Sequence, residues 1–195
     1  MNMENSHTTI GKALHWGFIA LYAYGILKQI NDLQQLDNKS LLIFEVIFAS
    51  AFLLIVIARF IYMRRFDTFI GATQPVPRAH KILAKSIHSA MYLCLILLPI
   101  SGLVIAGLFS QGRENESLMQ FTLEIHGFAA DLSYVLIAIH IAAALWSRIK
   151  GEGVWTSMVP VFKEKGVSRN PTIQRISKLE SDLFNKLEER MQRRR

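Results

Sequence analysis

Four stretches, at residues 13–30, 41–63, 87–109 and 127–149, are each apolar over a length close to what a helix needs to cross a bilayer. A hydrocarbon core of roughly 30 Å takes about 20 helical residues. Lipid offers no hydrogen bonds to backbone groups, so spans of this kind are expected as helices rather than strands. Only 19% of the chain is charged against 51% apolar, and the charges cluster between the apolar stretches. That pattern excludes a disordered chain and a nucleic-acid module. The first stretch does not read as a leader peptide. Its start carries only Lys12, its apolar part holds His15, and no small-residue cleavage site precedes Lys28 and Asn31.

Charge between the spans gives an expected orientation, because Lys and Arg resist translocation. Residues 64–86 carry Arg64, Arg65, Arg78, Lys81 and Lys85, whereas 31–40 holds only Lys39 and 110–126 only Arg113. Twelve further Lys or Arg follow Trp146, from Arg148 to Arg195. The middle loop, the C-terminus and hence the N-terminus are therefore expected on the cytoplasmic side. The second outer loop is acidic through Glu114, Glu116 and Glu124. The expected fold is all-α, an integral membrane four-helix bundle over residues 8–163 followed by a cytoplasmic C-terminal amphipathic helix over 171–195. In that tail Ile173, Ile176, Leu179, Leu183, Leu187 and Met191 recur at spacings of three and four. Three roles are open to it: a coiled-coil or partner-binding helix, a basic strip on anionic lipid, or a helix lying on its own domain.

Six histidines are present, His7, His15, His80, His88, His126 and His140. Ionisable groups at membrane depth are costly, so each within a span is a functional candidate; the plainer reading is a side chain bonded to a neighbouring carbonyl. His126 and His140 are fourteen residues apart. On a helix that is about 21 Å of rise and a return to within about 40° of the same face. One face thus offers an imidazole to each leaflet, with His126 at the outer end of its span. His15, near the cytoplasmic start of the first span, matches His140 in depth. Two facing imidazoles are what a six-coordinate b-type haem iron needs. The single cysteine, Cys94, and the lack of a Cys-x-x-Cys-His run exclude covalent haem attachment and cysteine-built zinc or iron–sulfur sites. Gly17, Ala20, Ala138, Ala142, Ala143 and Ala144 would leave room for a porphyrin, or equally for close helix packing. Arg59 could pair with a haem propionate or snorkel to lipid phosphate.

Over residues 13–160 the chain resembles the bacterial cytochrome b561 family, related to the b-type cytochrome subunits of nickel hydrogenases and formate dehydrogenases. The resemblance lies in Ala13-Leu14-His15-Trp16, the Arg59 helix, Ile87 to Tyr92, Leu98 to Gly102, and His126 to Pro160 with its fourteen-residue histidine gap. It implies a quinol-linked electron carrier of the inner membrane and respiratory chain, with two haems b, one per leaflet. His15 and His140 would hold the cytoplasmic one. His126 would hold the outer one with a histidine near the start of the second helix. Counting fourteen back from Arg59, that position is Glu45. Three readings follow: no outer haem, with Glu45 and His126 hydrogen-bonded as a pair; an outer haem on His126 with an open or Glu45-occupied sixth position; or a substitute ligand. The resemblance also implies a quinone-headgroup or proton-transfer role for His88 and Lys85, against interfacial snorkelling.

Trp16, Trp146 and Trp155 read as interfacial belt residues, and Pro99 to Gly102 as a kink. Partners expected are membrane lipid, quinone, and a redox protein or second copy through the tail. Two rivals to the electron carrier are a membrane-anchor subunit of a dehydrogenase complex and a haem-free proton carrier relaying through Glu45, His126 and Asp131. An enzyme version, a quinone-linked oxidase of superoxide or a similar small oxidant, follows from resemblance to some family members and needs an outer redox centre.

Overall fold

The computed structural model describes residues 7–193 apart from 31, 74 and 115. Among these residues the chain is all-helical: α1 (Thr9–Leu27), α2 (Lys39–Met63), α3 (Arg78–Ser110), α4 (Ser117–Lys150), the short α5 (Val154–Met158) and α6 (Pro171–Gln192), with a 3₁₀ turn at Leu33–Asp37. Three of them, α2, α3 and α4, are long and apolar enough to cross a membrane. Helix α1 has only 19 residues and is diluted by Lys12, His15 and two tyrosines. Outward-facing Ile43, Ile47, Leu54 and Ile61 make α2 apolar on its exposed side, as a lipid-facing helix requires.

Local chemistry sets the helix ends. Asn38 accepts from the N–H groups of Ser40 and Leu41 at 3.0 and 3.4 Å and starts α2, while Asn170 accepts from Thr172 at 2.9 Å ahead of Pro171 and starts α6. Two helices begin earlier than hydropathy suggests. Arg78, Lys81 and Lys85 lie on the first turns of α3 rather than in a loop. Helix α4 starts at Ser117, so Glu124 is helical and His126 sits nine residues into the helix, not at its outer end. Gln120 and Glu124 lower the apolarity there, yet Met119 is wholly buried against Ile105 and Leu108 and carries the helix through.

The chain forms two compact units. The first comprises Met1–Lys12, Arg65–Ser89 and Ile137–Arg195; the second comprises Ala13–Arg64 and Ala90–Leu136. In the second, Phe18, Phe52, Val56 and Leu95 make a core on which Tyr22, Met91 and Tyr92 pack. In the first, the segment after α4 is stitched into neighbouring loops: Thr73 N–H donates to the Glu152 carbonyl and Ser168 N–H to the Lys150 carbonyl, both at 2.9 Å. Gly151 and Gly153 make this possible. Both have positive φ, and a Cβ on either would sit within about 2 Å of a backbone carbonyl, 1.9 Å from Gly166 and 2.2 Å from Gly71 respectively.

Candidate functional site

The second unit carries an open-sided cavity of about 370 Å³, inside the range of ligand pockets, about 300–1,000 Å³. Phe48, Phe52, Leu98, Pro99 and Ile105 make its walls apolar, and Lys28, Glu45 and His126 reach it. Lys28 and Glu45 form an ion pair, each about one-fifth exposed. The ammonium also lies 4.5 Å from the centre of the Phe44 ring, an attractive cation–π placement.

His126 is fixed by Ser101. The Ser101 hydroxyl lies 2.6 Å from the Leu97 carbonyl and 3.0 Å from that of Leu98, the backbone acceptors just before Pro99. Its one proton goes there, so towards the His126 Nδ1 at 2.8 Å the serine oxygen accepts. Nδ1 therefore carries the hydrogen, and the neutral ring keeps a lone pair on Nε2. By the same logic Ser133, donating to Ala130 at 2.7 Å, accepts from the Tyr22 hydroxyl at 2.7 Å. The expected hydrogen bond between Glu45 and His126 is not the arrangement found. Glu45 is drawn to the only kind of partner that neutralises it, Lys28, and His126 to Ser101. Asp131, the third member of the proton relay considered above, is exposed on α4.

Elsewhere in the second unit, half-buried Arg59 spreads its guanidinium 5.5 Å from the Phe18 ring centre and 5.8 Å from that of Tyr92. Its Nε is out of solvent with no hydrogen-bond partner among the described residues. A buried donor left this way is costly, and a carboxylate such as a haem propionate is the group that would satisfy it. His15 belongs to this unit, its ring 5.9 Å from that of Trp16.

In the first unit the rings of His88 and His140 meet edge to face at 4.9 Å. The His88 Nδ1 lies 2.7 Å from the Ala84 carbonyl, which can only accept. Lys85 is exposed on the same helix. Trp146 and Trp155, expected as belt residues, spend their indole N–H groups inside the unit, on Glu180 at 2.8 Å and the Val161 carbonyl at 3.1 Å. Among the described residues no three His, Cys, Asp or Glu side chains gather as a metal cluster.

Ser101 and Lys28 were not singled out as site residues by sequence reasoning. A signal existed for each: a serine inside a helix returns its hydroxyl proton to the carbonyl one turn back and leaves its oxygen as an acceptor, and an unpaired Glu45 in an apolar span demands a cation.

An all-helical chain with spanning helices, histidines on them and a buried arginine awaiting an acid has the make-up of a membrane haem protein. The sequence model of the prokaryotic cytochrome b561 family matches residues 6–161, and the chain belongs to that family. It is thus a membrane b-type cytochrome, an electron carrier whose cofactor is haem b. No curated protein and no solved structure matches it.

The family's cofactor fits one set of residues and not another. The unpartnered Arg59 donor suits a propionate. The second two-histidine site that the resemblance implies is incomplete, because a Glu45 carboxylate already neutralised by Lys28 is a poor partner for a low-spin iron.

Proposed function

We propose that this cytochrome carries single electrons between the quinone pool and a partner through one haem b, held by His15 and His140 on the cytoplasmic side of a bacterial inner membrane. Helix α1 is the fourth span of the bundle in this reading, and both termini are cytoplasmic. The histidine pairing is supported by the family motifs that residues 15 and 140 match. The observation that carries it is Arg59, a buried donor without a partner in a chain whose family binds an anionic porphyrin.

When bound, the haem supplies a one-electron iron couple. The residues do the rest: His15 and His140 offer imidazole lone pairs, Arg59 compensates propionate charge, and His88, 4.9 Å from His140 ring to ring, orients that imidazole or passes a proton beside it. Lys85, one turn before His88, is exposed and suits an interfacial, lipid-facing ammonium. In the second unit Glu45, paired with Lys28, stands where a second haem would need its histidine, so in this reading no stepping stone crosses the outer leaflet.

Haem content per chain tests this directly. A pyridine haemochrome assay on purified protein should give about one haem, and His140→Ala should abolish the reduced-minus-oxidised b-type spectrum. An unchanged spectrum removes the ligand assignment. One second reading has its own observation: Ile176, Leu179, Leu183 and Leu187 stand exposed on α6, as in a membrane-anchor subunit that docks a dehydrogenase. Stoichiometric co-purification of such a subunit would favour it.

A further inference from the structure

The second unit keeps a cavity where the family pattern leads one to expect a second haem, although the ligand pair is gone. Its polar groups come in two sets from different helices. Lys28, just past α1, and Glu45 of α2 form one; His126 of α4, held by Ser101 of α3, forms the other. Between them the walls are apolar and largely aromatic or branched, with Phe48, Phe52 and Pro99 among them.

Each set has hydrogen-bonding capacity left over. An ammonium carries three donors and only one oxygen of Glu45, Oε1, is engaged by it. The second carboxylate oxygen remains an acceptor. On the other side the Ser101 contact puts the hydrogen on the His126 Nδ1, which leaves Nε2 as an acceptor. A ligand matching this must be flat or slim, apolar through its middle, and carry oxygen at two separate ends. An acyl chain would satisfy the walls and neither polar set. A small anion would suit Lys28 but meet the charge of Glu45 and leave the apolar walls wet.

We infer that the Lys28–Glu45 and His126–Ser101 cavity binds the headgroup of a quinol. One ring hydroxyl accepts a hydrogen bond from Lys28 or donates to the free oxygen of Glu45. The opposite hydroxyl donates to the His126 Nε2. This rests on the quinone-linked reading above and assigns the headgroup to this cavity rather than to His88 and Lys85.

The test is equilibrium binding of decylubiquinone and its quinol to the detergent-purified holoprotein, with haem measured on the same samples. One saturable site is expected. Glu45→Gln and His126→Phe should each weaken it at least tenfold, and Ala49→Phe, which fills the cavity wall, should abolish it. All three should retain the wild-type haem spectrum, which reports folding. Glu45→Gln is nearly isosteric and keeps the test decisive if a bulkier variant fails to fold. Absence of saturable binding, or binding indifferent to Glu45→Gln and Ala49→Phe, overturns the inference while leaving the single-haem carrier standing. Two haems per chain, one lost in His126→Phe, also overturns it, because porphyrin then fills the space. Specific binding with no haem at all would sink the electron-carrier reading and uphold this one.

Discussion

Two lysines, a buried one in the first unit and a half-buried one in the second, face carboxylates and yet do different things. Lys150 is 6% exposed and reaches Glu152 at 2.6 Å and Glu180 at 3.0 Å. Trp146 donates to the same Glu180 oxygen at 2.8 Å and lays its ring 5.6 Å below the ammonium. One cation serves two anions there, and the surplus negative charge recruits an indole donor. The cluster ties the end of α4 to the middle of α6. Lys28 has one carboxylate, with 19% and 22% of the two side chains exposed. Both lysines border cavities, but Lys150 spends two of its donors on carboxylates whereas Lys28 spends only one. A densely paired charge network holds structure together; a pair with more spare capacity beside an apolar wall makes a site.

The sharpest way to break this contrast is Lys150→Met. Two partly buried carboxylates would lose their cation at once, and removing one partner of a buried pair costs about 3 kcal/mol or more. The expected result is release of α6, seen as rapid tryptic cleavage at Arg175, Lys178 and Lys186 with a lowered melting midpoint. Wild-type resistance in the variant would show that Phe184, stacked on His80 at 4.7 Å between ring centres, holds the helix without the charge cluster.

Lys28→Met should cost less, about 1–2 kcal/mol, because both partners keep access to solvent. Glu45→Gln placed on top of it should restore part of the loss, since the stranded charge is then removed. A double-mutant cycle on thermal midpoints in detergent measures the coupling. Additive losses would mean that the pair does not act as a unit and that Glu45 is stabilised by other groups.

Much of the fold was legible because lipid imposes a strict length and composition rule. The expected spans 41–63, 87–109 and 127–149 all fall within helices of the structure. Helix starts were less so: hydropathy registers Gln120 and Glu124 but not the burial of Met119. That His15, His88, His126 and His140 lie on helices was legible, and the cavity was not. Its polar sets depend on which group sits beside which across the helices, as with Ser101 and His126 or Lys28 and Glu45. One sequence holds no such cross-helix information. The Glu45 substitution was visible at once, whereas its partner Lys28, seventeen residues away, became evident only from packing.

A third ion pair sets the lower limit of the contrast. In the loop before α4, Arg113 donates twice to Glu116, from Nε to Oε1 and from a terminal nitrogen to Oε2, both at 2.7 Å. The geometry is better than at Lys28, yet both side chains are nearly half exposed. These hydrogen bonds, with the Arg113 charge behind them, hold the Glu116 carboxyl below its ordinary range. A carboxylate depressed on folding contributes stability above its unfolded pKa and loses it as pH falls through the folded value. Solvent and salt screen the contribution in this position. NMR titration of the Glu116 side-chain carbon should therefore show a lowered midpoint that moves up in Arg113→Ala and partly in high salt, while Glu116→Gln leaves the melting midpoint unresolved from wild type. A clear drop in that midpoint would make bond geometry, rather than burial and spare capacity, the property that separates the three pairs.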